Sequence, residues 1–153
     1  MNTLDSYFRS QQVSLQWSPV LRALALELSA QADLDALRQL FIKTGMRYAQ
    51  SMEPRFQGIK TLAELTDSLN DLWSQTNWGC VAFREASNHI EIEHRFAPLS
   101  EAFGDEMLNW SVGILEGFYQ AVFVAFGADE RMATQCVAQQ DDGLCVQIHL
   151  TLQ

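Results

Sequence analysis

The spacing of apolar positions along this chain switches between about 3.6 and about 2 residues, and the switches divide it into helices and hairpins. Residues 1–16 mix Tyr7, Phe8, Val13 and Leu15 with Asn, Gln and Ser and show no helical stripe. They read as a flexible arm ahead of a single domain over residues 17–153. Ser18 and Pro19 make an N-cap and first-turn pair, opening a helix with Val20, Leu21, Leu24, Ala25 and Leu28 on one face. Asp33 caps a second helix whose apolar members are Leu34, Leu37, Phe41, Met46 and Tyr48, and Pro54 and Gly58 then break the chain. Thr61 and Glu64 form a capping box before a third, with Leu62, Leu65, Leu69, Leu72 and Trp73 at core spacing. Asn77-Trp78-Gly79 ends it.

From Cys80 to Phe96 the period predicts a β-hairpin turning at Ser87-Asn88. Ile90, Ile92 and Phe96 take one face, and His89, Glu91, Glu93 and Arg95 the other. A second hairpin runs from Met132 to Ala138 and from Leu144 to Leu152 through Asp141-Asp142-Gly143, with Leu144, Val146, Ile148 and Leu150 inward and Cys145, Gln147, His149 and Thr151 outward. Between the hairpins, residues 106–127 (EMLNWSVGILEGFYQAVFVAFG) read as one helix about 33 Å long. Asn109, Glu116 and Gln120 make a narrow polar stripe on it, and the remainder is apolar, as in a buried helix. Gly113, Gly117, Ala121 and Ala125 make a second stripe almost without side chains. Another backbone can approach there, which makes these four the oligomer-interface candidates. The expected fold is α+β: three N-terminal helices, a β-hairpin, a long central helix and a second β-hairpin, giving a four-stranded antiparallel sheet packed on helices.

Composition narrows the partners. At 153 residues with 48% hydrophobic and 19% charged positions, the chain can build one core without disulfides. A net charge of −9 excludes nucleic acid or an anionic membrane surface as the main partner. The small-residue stripe resembles a membrane helix-pairing face, but Glu116 interrupts the stretch and the run without polar residues falls short of about 20, so no direct membrane insertion is expected. The first residues lack a basic and then apolar leader pattern. Cys80, Cys136 and Cys145 lack metal-type spacing. Both point to a cytoplasmic protein with reduced thiols, with the periplasm as the alternative.

Candidate chemistry is sparse. No phosphate-binding loop, dinucleotide fingerprint, nucleophile elbow or HExxH is present. His89, Glu91 and Glu93 share a strand face, but neighbours on such a face stand about 7 Å apart, too far for one ion to hold all three, so no metal is expected. Cys145 and His149 also share a face, and Cys136 reaches them only if the hairpin register allows. Asp141-Asp142 and Asp105-Glu106 sit at a turn and a helix start, where acids belong for structural reasons. Glu116 is the one acid expected to be partly buried, in a structural hydrogen bond or an interface contact. No catalytic residue and no cofactor are assigned. Among the aromatics, Trp73 and Trp110 lie on core faces. Tyr7, Phe8 and Trp17, on or beside the arm, are the candidates for stacking on sugar rings.

Asn77-Trp78-Gly79 opening a strand, His94 near the end of the next, and Leu115-Glu116-Gly117-Phe118-Tyr119 in a helix led by Trp110 resemble the bacterial cellulose synthase D subunit over residues 60–150. The tract from Ala97 to Met107 departs most from that pattern. The resemblance implies a non-catalytic accessory subunit of cellulose biosynthesis and secretion, in which dimers assemble into an octamer that organises synthase complexes at the inner membrane. It also implies a proline-rich scaffold partner and cellulose chains running past the N-terminal arms. The C-terminal half is similar in topology to the vinyl-reductase-type domain, with Cys136, Gly143 and Cys145 around a hairpin. The alternative reading is therefore a small-ligand-binding or tethering module.

Overall fold

The computed structural model describes residues 3–140 and 143–153, so the Asp141-Asp142 pair expected at the second turn lies outside the described residues. Seven α-helices and four strands are present among these residues. Helix α1 (Thr3–Ser10) forms where the sequence shows no convincing stripe. Helix α2 (Ser18–Gln31) starts one residue earlier than its Ser-Pro signal predicts. Residues 14–17 already turn helically, and the Ser18 N–H is satisfied by the Ser14 carbonyl at 2.8 Å, so Ser18 has no capping role. Helix α3 (Leu34–Ser51) begins as expected, with the Asp33 carboxylate accepting from the Ala36 N–H. Helix α4 (Leu62–Thr76) opens on the Thr61–Glu64 capping box and stops at Asn77 in the left-handed conformation, φ 58°.

Strands β1 (Cys80–Glu85), β2 (His89–Arg95), β3 (Met132–Gln140) and β4 (Cys145–Leu152) form the expected four-stranded sheet, antiparallel throughout, in the order β1-β2-β4-β3. The two hairpins meet along β2 and β4. Val81, Ile92, Val146, Ile148 and Leu150 are buried on the helix-facing side. Phe96 is not on that face. β2 ends at Arg95, and Phe96 takes φ 62° and swings outward, with its N–H held by the Leu144 carbonyl at 2.7 Å. A non-glycine residue there carries about 1–2 kcal/mol of strain.

The long helix is broken. α5 (Leu99–Phe103) and a 3-10 turn lead into α6 (Leu108–Ser111), and α7 (Gly113–Ala125) follows after Val112. The Val112 N–H reaches the Leu108 carbonyl only at 3.4 Å, and its ψ of −19° is nearer a 3-10 than an α value.

The three faces of α7 each meet a different element. Its aromatic face packs on the sheet, with Phe83 edge-on to both Tyr119 and Phe123. Its small-residue face meets α3 so closely that a Cβ on Gly117 would lie 1.8 Å from the Ile42 carbonyl oxygen. A Cβ on Gly45 of α3 would lie 1.9 Å from the Ile114 oxygen. Its polar stripe closes a sheet edge. The Glu116 carboxylate accepts from the Cys136 N–H at 3.1 Å, and the Gln120 side chain accepts from the Thr134 N–H at 2.7 Å while donating to the Met132 carbonyl at 2.6 Å. Helical residues four apart and strand residues two apart have similar spacings, so the stripe matches the unpaired groups of β3. Asn70 of α4 closes the opposite edge, accepting from the Val81 N–H and donating to the Val81 carbonyl. Covered edges remove the template for unwanted strand pairing.

Candidate functional site

The motif residues that stood out in the sequence converge inside the protein. Gly79, at φ 88°, passes so close to β2 that a Cβ would lie 1.9 Å from the Arg95 carbonyl oxygen. That brings the Trp78 carbonyl over His94, whose Nε2–H donates to it at 2.7 Å. The His94 Nδ1 then accepts from the Tyr119 hydroxyl at 2.6 Å. Both rings are fully buried. Burial holds the His94 imidazole down at about 4 and pushes the Tyr119 phenol well above its usual range. The arrangement is neutral and closed to solvent, and it ties α4, β2 and α7 together. Glu116 is a second internal strut: Arg38 donates to it at 2.7 Å and to the Asn109 carbonyl at 2.8 Å. This fits the structural role expected for it.

The four small residues do not act alike. Gly113 and Gly117 are buried, and their open backbone faces Arg38 and Ile42 of the same chain, so the close approach the stripe permits is made within one chain. Ala121 and Ala125 lie nearer the surface, beside Ala49, Gln50, Glu53 and Phe56. Only these two leave any of the stripe for a partner.

The N-terminal segment is held to the body by polar contacts. Arg9 is buried and pairs with Asp105 at 3.0 Å and with Ser100. Asn77 donates to the Gln11 carbonyl at 2.9 Å, and Gln12 donates to the Phe96 carbonyl. Asp105, read as an ordinary helix-start acid, is thus the anchor of this segment, and Ser100 and Arg9 keep its carboxyl below the usual range. Under α1 lies a largely apolar cavity of about 310 Å³, walled by Phe8, Phe96 and Leu144 and rimmed by Asp5, Arg9 and Asn77. Of the sugar-stacking candidates, Phe8 lines this cavity and Tyr7 stands edge-on to Phe8 at 5.8 Å. Trp17 instead precedes α2 and is not among the cavity's walls. All three leave more than half of their surface exposed. Phe96 and Arg9 were not singled out from the sequence. One sits in an alternation that predicts burial, and the other is a lone cation in a polar stretch.

On the outer face of the sheet the register overturns one suggested adjacency. Cys136 pairs with Ile148 and shares its inward face, away from His149. The face that was read as His89, Glu91 and Glu93 on one strand instead brings His89 and Glu91 together with His149 of β4, directly across from Glu91.

Among the described residues no helix is long and apolar enough to cross a membrane. The family model for the D subunit of cellulose synthase matches residues 3–149. No curated protein matches the chain.

Proposed function

The chain belongs to the cellulose synthase D-subunit family, generally accessory and non-catalytic, and from that membership in bacterial cellulose synthesis we propose that it is a self-assembling scaffold that arranges synthase complexes. The observation that carries the reading is the apolar surface of the first third. Helix α2 buries only Ala25, while Val20, Leu24 and Leu26 stay exposed at 53%, 49% and 64%. Leu15, Trp17, Leu34 and Leu40, on the segments before and after α2, are exposed as well. Val20 and Leu24, one turn apart on the same side of α2, form an exposed apolar face of the kind that another protein covers. The helical form of the surface suits a second copy docking helix against helix, with apolar burial outweighing the mutual repulsion of two acidic chains.

In this reading, pairs of chains join through α2 and then associate further, towards the octamer implied by the family resemblance. A cellulose synthase complex and a proline-rich scaffold protein are the outside partners, and the site of action is the cytoplasmic side of the inner membrane. Tyr7, Phe8 and Trp17 contact glucan if the assembly brings the N-terminal segments around a passage. The network around His94 supports a scaffold over an enzyme, because the family-like residues are spent on holding elements together. Mass measurement by light scattering tests assembly, and cellooligosaccharide titration tests glucan contact.

A further inference from the structure

His89 and His149 stack with ring centroids 4.2 Å apart, and the Glu91 carboxylate lies 3.4 Å from the His89 Nε2. Potential ligand atoms of all three residues fall within 4.8 Å of one another. A tetrahedral ion with bonds of about 2.0–2.2 Å separates its ligand atoms by about 3.4 Å, so small side-chain rotations close the set. Two further features orient it. The Asn88 side-chain oxygen accepts from the His89 Nδ1–H at 2.7 Å, which leaves the lone pair on Nε2. That Nε2 is buried and has no hydrogen-bond partner among the described residues. A buried acceptor without a donor is costly, and a cation held between it and the carboxylate 3.4 Å away would supply the partner. Fixing a ligating imidazole through its other nitrogen is the usual outer support of a metal site.

We propose that His89, Glu91 and His149 form a binding site for a borderline divalent cation, Zn2+ first among them, on the outer face of the sheet where β2 meets β4. Two imidazoles and one carboxylate suit zinc, and also copper or nickel, better than calcium or magnesium. A concavity of about 350 Å³ adjoins Glu91 and His149 and leaves the fourth position open to water or an oxygen ligand. Arg84 is the competitor. It donates to Glu91 at 2.6 Å through Nε and draws the carboxyl pKa down, so metal binding must displace or share that ion pair. The site bridges the two hairpins along their shared seam, where a cation would link β2 to β4.

The test is calorimetric titration of the tag-free chain with zinc chloride, backed by the visible spectrum of the cobalt complex. One metal per chain is expected, with a cobalt spectrum lacking thiolate bands. His149→Ala and Glu91→Gln should each weaken binding at least tenfold, and Asn88→Ala by about 10–100-fold through loss of the ring's support. Arg84→Ala should tighten it, an effect that general damage to the fold would not produce. Absence of saturable binding, equal affinity in all these variants, or a thiolate band placing the metal on cysteine would each overturn the assignment.

Discussion

The Tyr119 hydroxyl donates to the His94 Nδ1 at 2.6 Å in an interior from which water is shut out. The other His94 nitrogen is committed to the Trp78 carbonyl, so the ring has one tautomer, and a second proton would be a charge buried away from water. Protonating it would break the bond from Tyr119 and bury a charge without a partner.

Folding therefore holds His94 neutral down to about pH 4, while in the unfolded chain it takes up a proton near 6.5. Between those values the unfolded state binds more protons, so stability rises with pH. The contribution is complete above about 6.5, falls as pH drops towards 4, and changes no further below that. Its size is about 3 kcal/mol. Urea midpoints measured from pH 7 to 4 at fixed protein concentration should fall more steeply in the wild type than in His94→Gln. The difference between the two isolates His94 from the carboxylates that titrate in the same range.

Gly117 separates core from interface. Gly117→Leu should leave the protein unfolded or insoluble, because even a Cβ meets the Ile42 carbonyl at 1.8 Å and α3 cannot give way there without losing the core. Gly45→Ala should act similarly, since its Cβ meets the Ile114 oxygen. Ala125→Leu, at an exposed position of the same stripe, should leave the thermal midpoint within a few degrees. A folded Gly117→Leu chain that merely fails to associate would show the stripe to be an interface.

Most of the architecture was legible because caps and periods agree with one another. Thr61–Glu64, Asp33 and the alternation in β4 each fixed an element that the structure contains. What the sequence left open was set by pairing across elements. The polar stripe of α7 is spaced to meet β3, but nothing in the helix itself says that Thr134 and Cys136 stand opposite. The cluster of His89, Glu91 and His149 likewise depends on register between strands separated by three α-helices, a 3-10 turn and a third strand. Phe96 fits the strand alternation and leaves it only because the backbone turns left-handed, which its residue type disfavours.

The closed edge of β3 can be opened selectively. Gln120→Leu leaves the Thr134 N–H and the Met132 carbonyl without their helix partner, at a cost of about 1–3 kcal/mol where they stay buried. Hydrogen exchange should quicken at Thr134 more than at the centre of β4. Glu116→Ala removes the partner of both Arg38 and the Cys136 N–H and should cost at least as much, since a charge-assisted bond is lost with it.

Removal of residues 1–16 should abolish cellooligosaccharide binding if Tyr7 and Phe8 serve the glucan, and Trp17→Ala should weaken it in the otherwise intact chain. Titration by calorimetry reads both. Binding that survives the deletion unchanged would remove the segment from any glucan path, and an intact chain that binds none would leave scaffolding as the whole function.

On α2, Val20→Asp and Leu24→Asp place charges on the two side chains of one helix face proposed to be covered by a second copy. Because both are exposed in the single chain, helical circular dichroism should be kept while the assembly dissociates.

The central claim is that the protein works as an assembly, and multi-angle light scattering of the wild type at micromolar concentration tests it most directly. The predicted mass is a multiple of 17.3 kDa, reduced towards the single-chain value by the two α2 substitutions. A wild-type mass of 17.3 kDa, unchanged as concentration rises, would contradict it.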